Sequence, residues 1–146
     1  MAGRDDGDGR DSAPRESLEV GAVLSLVTGS SLAQGGEAIA RAPDGRVVFV
    51  RGGAPDERVE ARLTQVKRRF LRAEVERVAR PGPTRVEPPC RHYHACGGCD
   101  LMHVDPDAQG ELLLAAGLEV LARVGGVARR REDVRFWRGD ALGART

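Results

Sequence analysis

The chain has 146 residues, 40% hydrophobic and 31% charged, with 23 basic against 22 acidic side chains and a formal charge of +1. That length suits one ordinary domain, or one small domain with an appendage, and no apolar run approaches the roughly 18 residues needed to span a bilayer. Aromatic residues make up only 3%, which limits any function built on extensive base stacking. The opening segment, MAGRDDGDGRDSAPRES, carries no apolar residue large enough to nucleate a core. It cannot offset its own ordering entropy, so residues 1–16 are expected to be a disordered tail. The tail lacks the apolar stretch of a secretory signal, and its acids argue against a transit peptide. A soluble cytoplasmic protein with no membrane partner is the expectation, in a compartment where thiols stay reduced.

Next in the chain, Leu18 to Thr28 (LEVGAVLSLVT) is apolar and β-branched and meets the turn formers Gly29-Ser30-Ser31, so it reads as a strand. The runs EAIAR and RVVFV flank Pro43-Asp44-Gly45; an Asp-Gly turn between two short runs predicts a hairpin. Segment 58–80, ended by Pro81-Gly82-Pro83, supports two readings. Val59, Leu63, Val66, Phe70 and Ala73 recur at helical spacing. As strands, Val59, Ala61 and Leu63 alternate, as do Leu71, Ala73 and Val75, with the Lys67-Arg68-Arg69 stretch at the turn. Context favours strands, because a three-stranded sheet upstream would otherwise keep an unpaired edge. Five short strands within about 65 residues would close into a small OB-like barrel, making the fold mainly β.

Charge is unevenly spread. Residues 1–20 hold three arginines against six acids, 61–85 eight basic residues against two acids, and 122–138 six arginines against two acids. Lys67 is the sole lysine. Arginine forks match phosphate geometry and stack on bases, so the two basic segments are a candidate nucleic-acid footprint, against the plainer alternative of a solvated arginine-rich surface.

All three cysteines fall in Cys90–Asp100, CRHYHACGGCD, spaced C-x5-C-x2-C. Cys96-Gly97-Gly98-Cys99 is a knuckle whose glycines let backbone N–H groups approach sulfur. Together with Cys90 it suits tetrahedral zinc or an iron–sulfur centre, and the residues leave these two open. His92, His94 or His103 could complete a zinc site. A dithiol redox motif would stand at a helix start after a strand, whereas Pro88-Pro89 precedes this cluster. Beyond it, Asp105-Pro106 is an N-cap with proline at the first helical position. Leu114, Leu118, Leu121 and Val124 give the following helix its apolar positions, with Gly125-Gly126 as the stop.

The stretch RVEPPCRHYHACGGCDLMH resembles the RNA (uracil-5-)methyltransferases, in which Arg-Val-Glu-Pro-x-Cys-x-x-Tyr/Phe-x-x-Cys-Gly-Gly-Cys-x-x-Gln-His recurs. Residues from GGEAIARAPDGRVVFVRGG through TRVEP are similar to the TRAM domain of that family, and Gln109 with LEVLARVGGV is similar to its next segment, so the likeness covers roughly 18–128. The resemblance implies that Cys90, Cys96 and Cys99 are ligands of a 4Fe-4S cluster, with a fourth cysteine beyond these residues. It implies a TRAM barrel that binds RNA, ribosomal rather than transfer RNA, with Lys67, Arg68, Arg69 and Phe70 as its contact surface. It also implies an S-adenosylmethionine-dependent enzyme whose nucleophile, base and cofactor site lie in a domain outside this chain. None of the three cysteines here is then catalytic, and the chain alone would be a monomer without activity. The expected division is a tail at 1–16, barrel at 17–80, cysteine loop at 81–104, and helix with the start of a further region at 105–146. Three positions depart from the family pattern: Asp56 replaces a usual glycine, Met102 a usual glutamine, and Gly110-Glu111 stand where a lysine is common. Asp56 must therefore avoid a positive φ or be held in one. Of a different class is a free-standing nucleic-acid-binding protein whose structural zinc is held by the three cysteines and a histidine; a chain that binds no metal is a third reading.

Overall fold

The computed structural model describes residues 18–137 and 139–140, so the expected tail at 1–16 lies outside the described residues. Five strands come first: β1 (Val23–Leu32), β2 (Ala38–Arg41), β3 (Val47–Arg51), β4 (Arg58–Val66) and β5 (Phe70–Arg80). Helices α1 (Tyr93–Cys96) and α2 (Pro106–Arg123) and a 3-10 turn at Arg131–Asp133 follow. The strands close in the order β1-β2-β3-β5-β4. Pairing is antiparallel except between β3 and β5, which run parallel with Val47 opposite Phe70 and Phe49 opposite Arg72. This is the small OB-like barrel that the strand count predicts. No helix among the described residues is long and apolar enough to cross a membrane.

Alternation fills the barrel. Leu24 and Leu26, Val48 and Val50, Val59, Ala61 and Leu63, and Leu71 and Ala73 all point inward and are buried. Each fully buried leucine or valine contributes on the order of 1.5–3 kcal/mol. Period two therefore wins over the helical spacing at 58–80: a helix would leave the β1 and β3 edges unpaired, whereas the strands Arg58–Val66 and Phe70–Arg80 satisfy both.

Two predicted elements shift. The first strand begins at Val23 rather than Leu18 and continues through Gly29-Ser30-Ser31 to Leu32. Upstream, the Ala22 N–H bonds the Glu19 carbonyl at 3.1 Å, making a turn of the residues expected to extend. Downstream, pairing of Thr28 with Ala40 and Leu32 with Ala38, across a bulge, carries the strand past the turn formers. In α2 the apolar face is rotated from the expected one. Leu112 packs on the barrel core and Ala116 is buried, while Leu121 and Val124 are exposed. The run LLLAAGLEVLA is apolar on nearly every side, so spacing alone could not select the buried face. The predicted cap is present, with the Asp105 carboxylate accepting from the Asp107 N–H at 2.9 Å and Pro106 at the first position.

Asp56 has φ 55°, the one non-glycine in the left-handed region among the described residues. The turn it makes receives the chain leaving β5: a Cβ at Gly82 would stand 1.9 Å from the Pro55 carbonyl oxygen. Only glycine permits that approach, and it directs the chain from the barrel into the cysteine segment.

Candidate functional site

The cysteine segment is a loop closed at its base and fastened to the barrel. A bridge between Arg85 and Val104 joins its two ends, supported by Val86 N–H to the His103 carbonyl at 3.0 Å and Asp105 N–H to the Thr84 carbonyl at 2.7 Å. Arg85 then reaches Glu57: Nε donates to Oε2 at 2.7 Å and Nη2 to Oε1 at 2.8 Å, while Nη2 also donates to the Gly52 carbonyl at 2.6 Å. The Glu57 side chain is fully buried and takes a further bond from the Ala54 N–H at 2.7 Å. Thr28 completes this network, its hydroxyl donating to the Ala54 carbonyl at 2.7 Å and accepting from the Glu57 N–H at 2.9 Å.

His103 is the second fastening. It is buried, with Nε2 2.9 Å from the Gly53 carbonyl and Nδ1 against the Tyr93 hydroxyl. A carbonyl only accepts, so Nε2 carries the proton and Nδ1 accepts from tyrosine. The same hydroxyl lies 2.9 Å from the Asp100 carbonyl, and the Gln109 amide donates to the carbonyls of Leu101 and Val104. Burial pushes the His103 pKa down, and the Arg85 charge adds to this; the hydrogen bond to Gly53 opposes it. Burial likewise pushes the Tyr93 hydroxyl up. His103 is therefore a structural group with both ring nitrogens engaged, which corrects its candidacy as a zinc ligand.

Within the loop, α1 ends at Gly97 with φ 65°, a left-handed cap that begins the knuckle. A Cβ on Gly98 would lie 3.4 Å from the Cys96 sulfur, an ordinary contact that places this backbone directly beside the thiol. Cys96 and Cys99 are exposed and Cys90 half-buried. Donor kind and backbone shape suit a thiolate-held centre, with three of the four protein positions such a centre uses. The three sulfurs are not drawn together: among the described residues no group of three His, Cys, Asp or Glu side chains could hold an ion. His92 and His94 are exposed on the same loop.

The predicted RNA contacts sit at the start of β5, the far end of that strand from its exit toward the cysteine segment. Lys67, Arg68 and Arg69 form the exposed β4–β5 turn, closed by the Lys67 N–H to the Phe70 carbonyl at 3.0 Å. Arg46 steadies it by donating to the Lys67 carbonyl at 2.6 Å while held by Asp44, whose carboxyl that arginine keeps below its usual range. Ion pairing sorts the basic segment 61–85. Arg62 binds Glu76, Arg72 binds Glu37, Arg77 binds Glu60 and Arg85 binds Glu57. Lys67, Arg68, Arg69 and Arg80 are left without a carboxylate partner among the described residues, three of them in this one turn. Phe70, half-buried, is edge-on to Phe49 with ring centroids 5.8 Å apart, and Arg72 lies 5.6 Å above the Phe49 ring. Sequence reading missed Phe49; the signal was its place between Val48 and Val50, which alternation turns inward and so turns Phe49 outward. It also missed Glu57, which no local pattern marks.

Residues 19–75 match the TRAM domain family. The chain is similar to the 23S rRNA (uracil(1939)-C(5))-methyltransferase RlmD of Shewanella baltica, 42% identical over 113 residues, which cover 77% of this chain and 25% of that protein. It is also similar to the enzyme of the same name from Halomonas elongata, 46% identical over 94 residues, covering 64% of this chain and 20% of that protein. The chain thus spans about a quarter or less of the length of these curated relatives. Among solved structures it is similar to the conserved protein from the gene locus MMP0076 of Methanococcus maripaludis, at 31% identity and TM-score 0.37, over 48% of this chain and 97% of that one.

Proposed function

We propose a function on the premise that the chain belongs to the TRAM-bearing RNA methyltransferase family: it is the RNA-holding and thiolate-bearing part of an S-adenosylmethionine-dependent RNA (uracil-C5) methyltransferase acting on ribosomal RNA. The observation that carries this reading is the turn Lys67-Arg68-Arg69, whose charges are left unpaired beside Phe70 while neighbouring arginines are neutralised within the barrel. Unpaired cations next to an aromatic face give phosphate attraction and a stacking surface together. The proposed division is a barrel at 17–80 that positions RNA, a cysteine loop at 81–104, and 105–146 leading toward a methyl-transferring domain. The proposed setting is the cytoplasm, with the chain a monomer.

Cys90, Cys96 and Cys99 would hold a 4Fe-4S cluster, with a fourth ligand from outside these residues. Bound there, the cluster would supply a redox-capable cross-link that fixes the loop. The chain's own groups do the rest: Glu57, Arg85, His103 and Tyr93 hold the loop against the barrel that carries the basic turn, so the thiolates and the proposed RNA contacts share one frame. The methyl group would come from S-adenosylmethionine, and no residue described here is assigned to it.

Two measurements test this. Anisotropy titration of the 146-residue chain with labelled single-stranded ribosomal RNA should give saturable, salt-dependent binding; its absence at low salt would refute the RNA-holding role. Anaerobically purified protein should contain iron and sulfide with brown charge-transfer absorbance. Stoichiometric zinc without colour would instead favour the free-standing zinc-binding alternative, with His92 or His94 as the fourth ligand.

A further inference from the structure

The outward face of β2, β3 and β5 is not open to solvent along its whole length. Helix α2 stands over part of it, and the two enclose a cleft of about 570 Å³, within the range of small-ligand sites. Its floor is aromatic and aliphatic, with Phe49 and Phe70 beside Ile39 and Val47; Ala116 and Val120 of α2 make the facing wall. Its rim is charged, with Arg41, Arg69, Arg72 and Arg123 against Glu37 and Glu119. Two of these are already spent: Arg72 and Glu37 bind each other at 2.5 Å. Arg41 donates to the Gly45 carbonyl at 3.1 Å and keeps its charge uncompensated. Arg69 and Arg123, one from each wall, carry no ion pair among the described residues. The cleft is thus apolar and π-rich at depth and cationic at the mouth. Helix α2, which packs beside β1, forms one wall of it, so this part of the sheet is bounded rather than open to a run of stacked bases.

We propose that this cleft takes one unstacked nucleotide of single-stranded RNA, its base against Phe49 and Phe70 and its phosphate between Arg69 and Arg123. This deepens the RNA-holding reading above and rests on it. Charge complementarity selects an anion, the two rings select a flat aromatic group, and the facing helix limits the site to a single base. Duplex RNA is excluded because its bases are already stacked and paired. Arg123 is placed in the site by the fold alone, since it lies in the C-terminal basic segment, far in sequence from the β4–β5 turn.

The test is binding of an unstructured oligouridylate to the full chain and to Phe49→Leu, Phe70→Leu and Arg123→Gln. Leucine preserves apolar packing while removing the π-face, and circular dichroism confirms that each variant folds. The expected result is affinity about tenfold or more lower for either phenylalanine variant with an unchanged salt slope, the loss typical of one stacked base. Arg123→Gln should instead lower the salt slope by about 0.7. Wild-type affinity and slope in all three would overturn the cleft while leaving RNA binding standing. Failure of the wild-type chain itself to bind oligouridylate or ribosomal RNA would sink the underlying reading as well.

Discussion

Arg85 and Glu57, separated by 28 residues, meet in a two-pronged ion pair in which the carboxylate is wholly removed from solvent. It joins the segment entering the cysteine loop to the turn before β4. Removing one partner leaves a buried charge unpaired, a loss of about 3–5 kcal/mol. Arg85→Ala should therefore destabilise the chain by that order in urea unfolding. The double variant Arg85→Met/Glu57→Met should cost clearly less than Arg85→Ala alone. Equal losses would mean that the pair is not desolvated as described.

Asp56 and Gly82 should respond in opposite directions to small changes. Asp56 holds φ 55°, which costs an L-residue up to about 1–2 kcal/mol. Asp56→Gly is expected to stabilise by about 1 kcal/mol or less, because glycine's extra freedom in the unfolded chain offsets part of the relief. Gly82→Ala puts a Cβ against the Pro55 carbonyl, backbone on backbone, and should lower the melting temperature sharply. A neutral Gly82→Ala would show that the crossing is looser than the structure has it.

His103 sets a pH dependence. Its pKa is lowered in the fold by burial, whereas in the unfolded chain it titrates near about 6.5. Below that value the unfolded state binds more protons than the folded one, so stability falls as pH drops from about 6.5 toward the folded pKa; above it the contribution is fully present. Unfolding midpoints measured at several pH values should show this decline. His103→Gln, though less stable overall, should flatten it.

The turn cations should act through screening. For single-stranded RNA each neutralised phosphate contributes about 0.7 to the slope of log K against log salt. Lys67→Ala/Arg68→Ala should reduce the slope by about 1.4 by the same relation, whereas Arg77→Ala, whose charge Glu60 already compensates, should change it little. Titrations at several salt concentrations distinguish the two.

For the cysteine loop, iron and sulfide reconstitution of Cys96→Ser and Cys99→Ser should each give lower iron content and weaker visible absorbance than the unaltered chain. Tyr93→Phe, which removes the bond to His103 while keeping every thiol, should retain loading but release it faster to a chelator. Full loading by both serine variants would remove the knuckle from the ligand set.

Much of the barrel is legible from sequence, because alternation of small and branched apolar residues is a local property and Asp44-Gly45 marks its own turn. The cysteine spacing is equally local. Segment 58–80 is different: Val59, Leu63 and Val66 satisfy a helix as well as a strand, and only the unpaired edges of β1 and β3 decide between them. In α2 the sequence determines a helix and its Asp105 cap, but the central run at 112–122, with apolar residues on several sides, leaves the buried face to be chosen by contact, and the barrel takes Leu112 and Ala116. Strands, turns, thiols and the positions of charge are thus local properties, written residue by residue. Which charges remain free is set by the closed barrel, since Arg62, Arg72, Arg77 and Arg85 meet their carboxylates across strands and loops. The fold likewise withdraws His103 from the thiols by giving both ring nitrogens partners, Gly53 on one side and Tyr93 on the other. Electrostatic pairing and desolvation depend on distance in space, and closure of the barrel sets that distance.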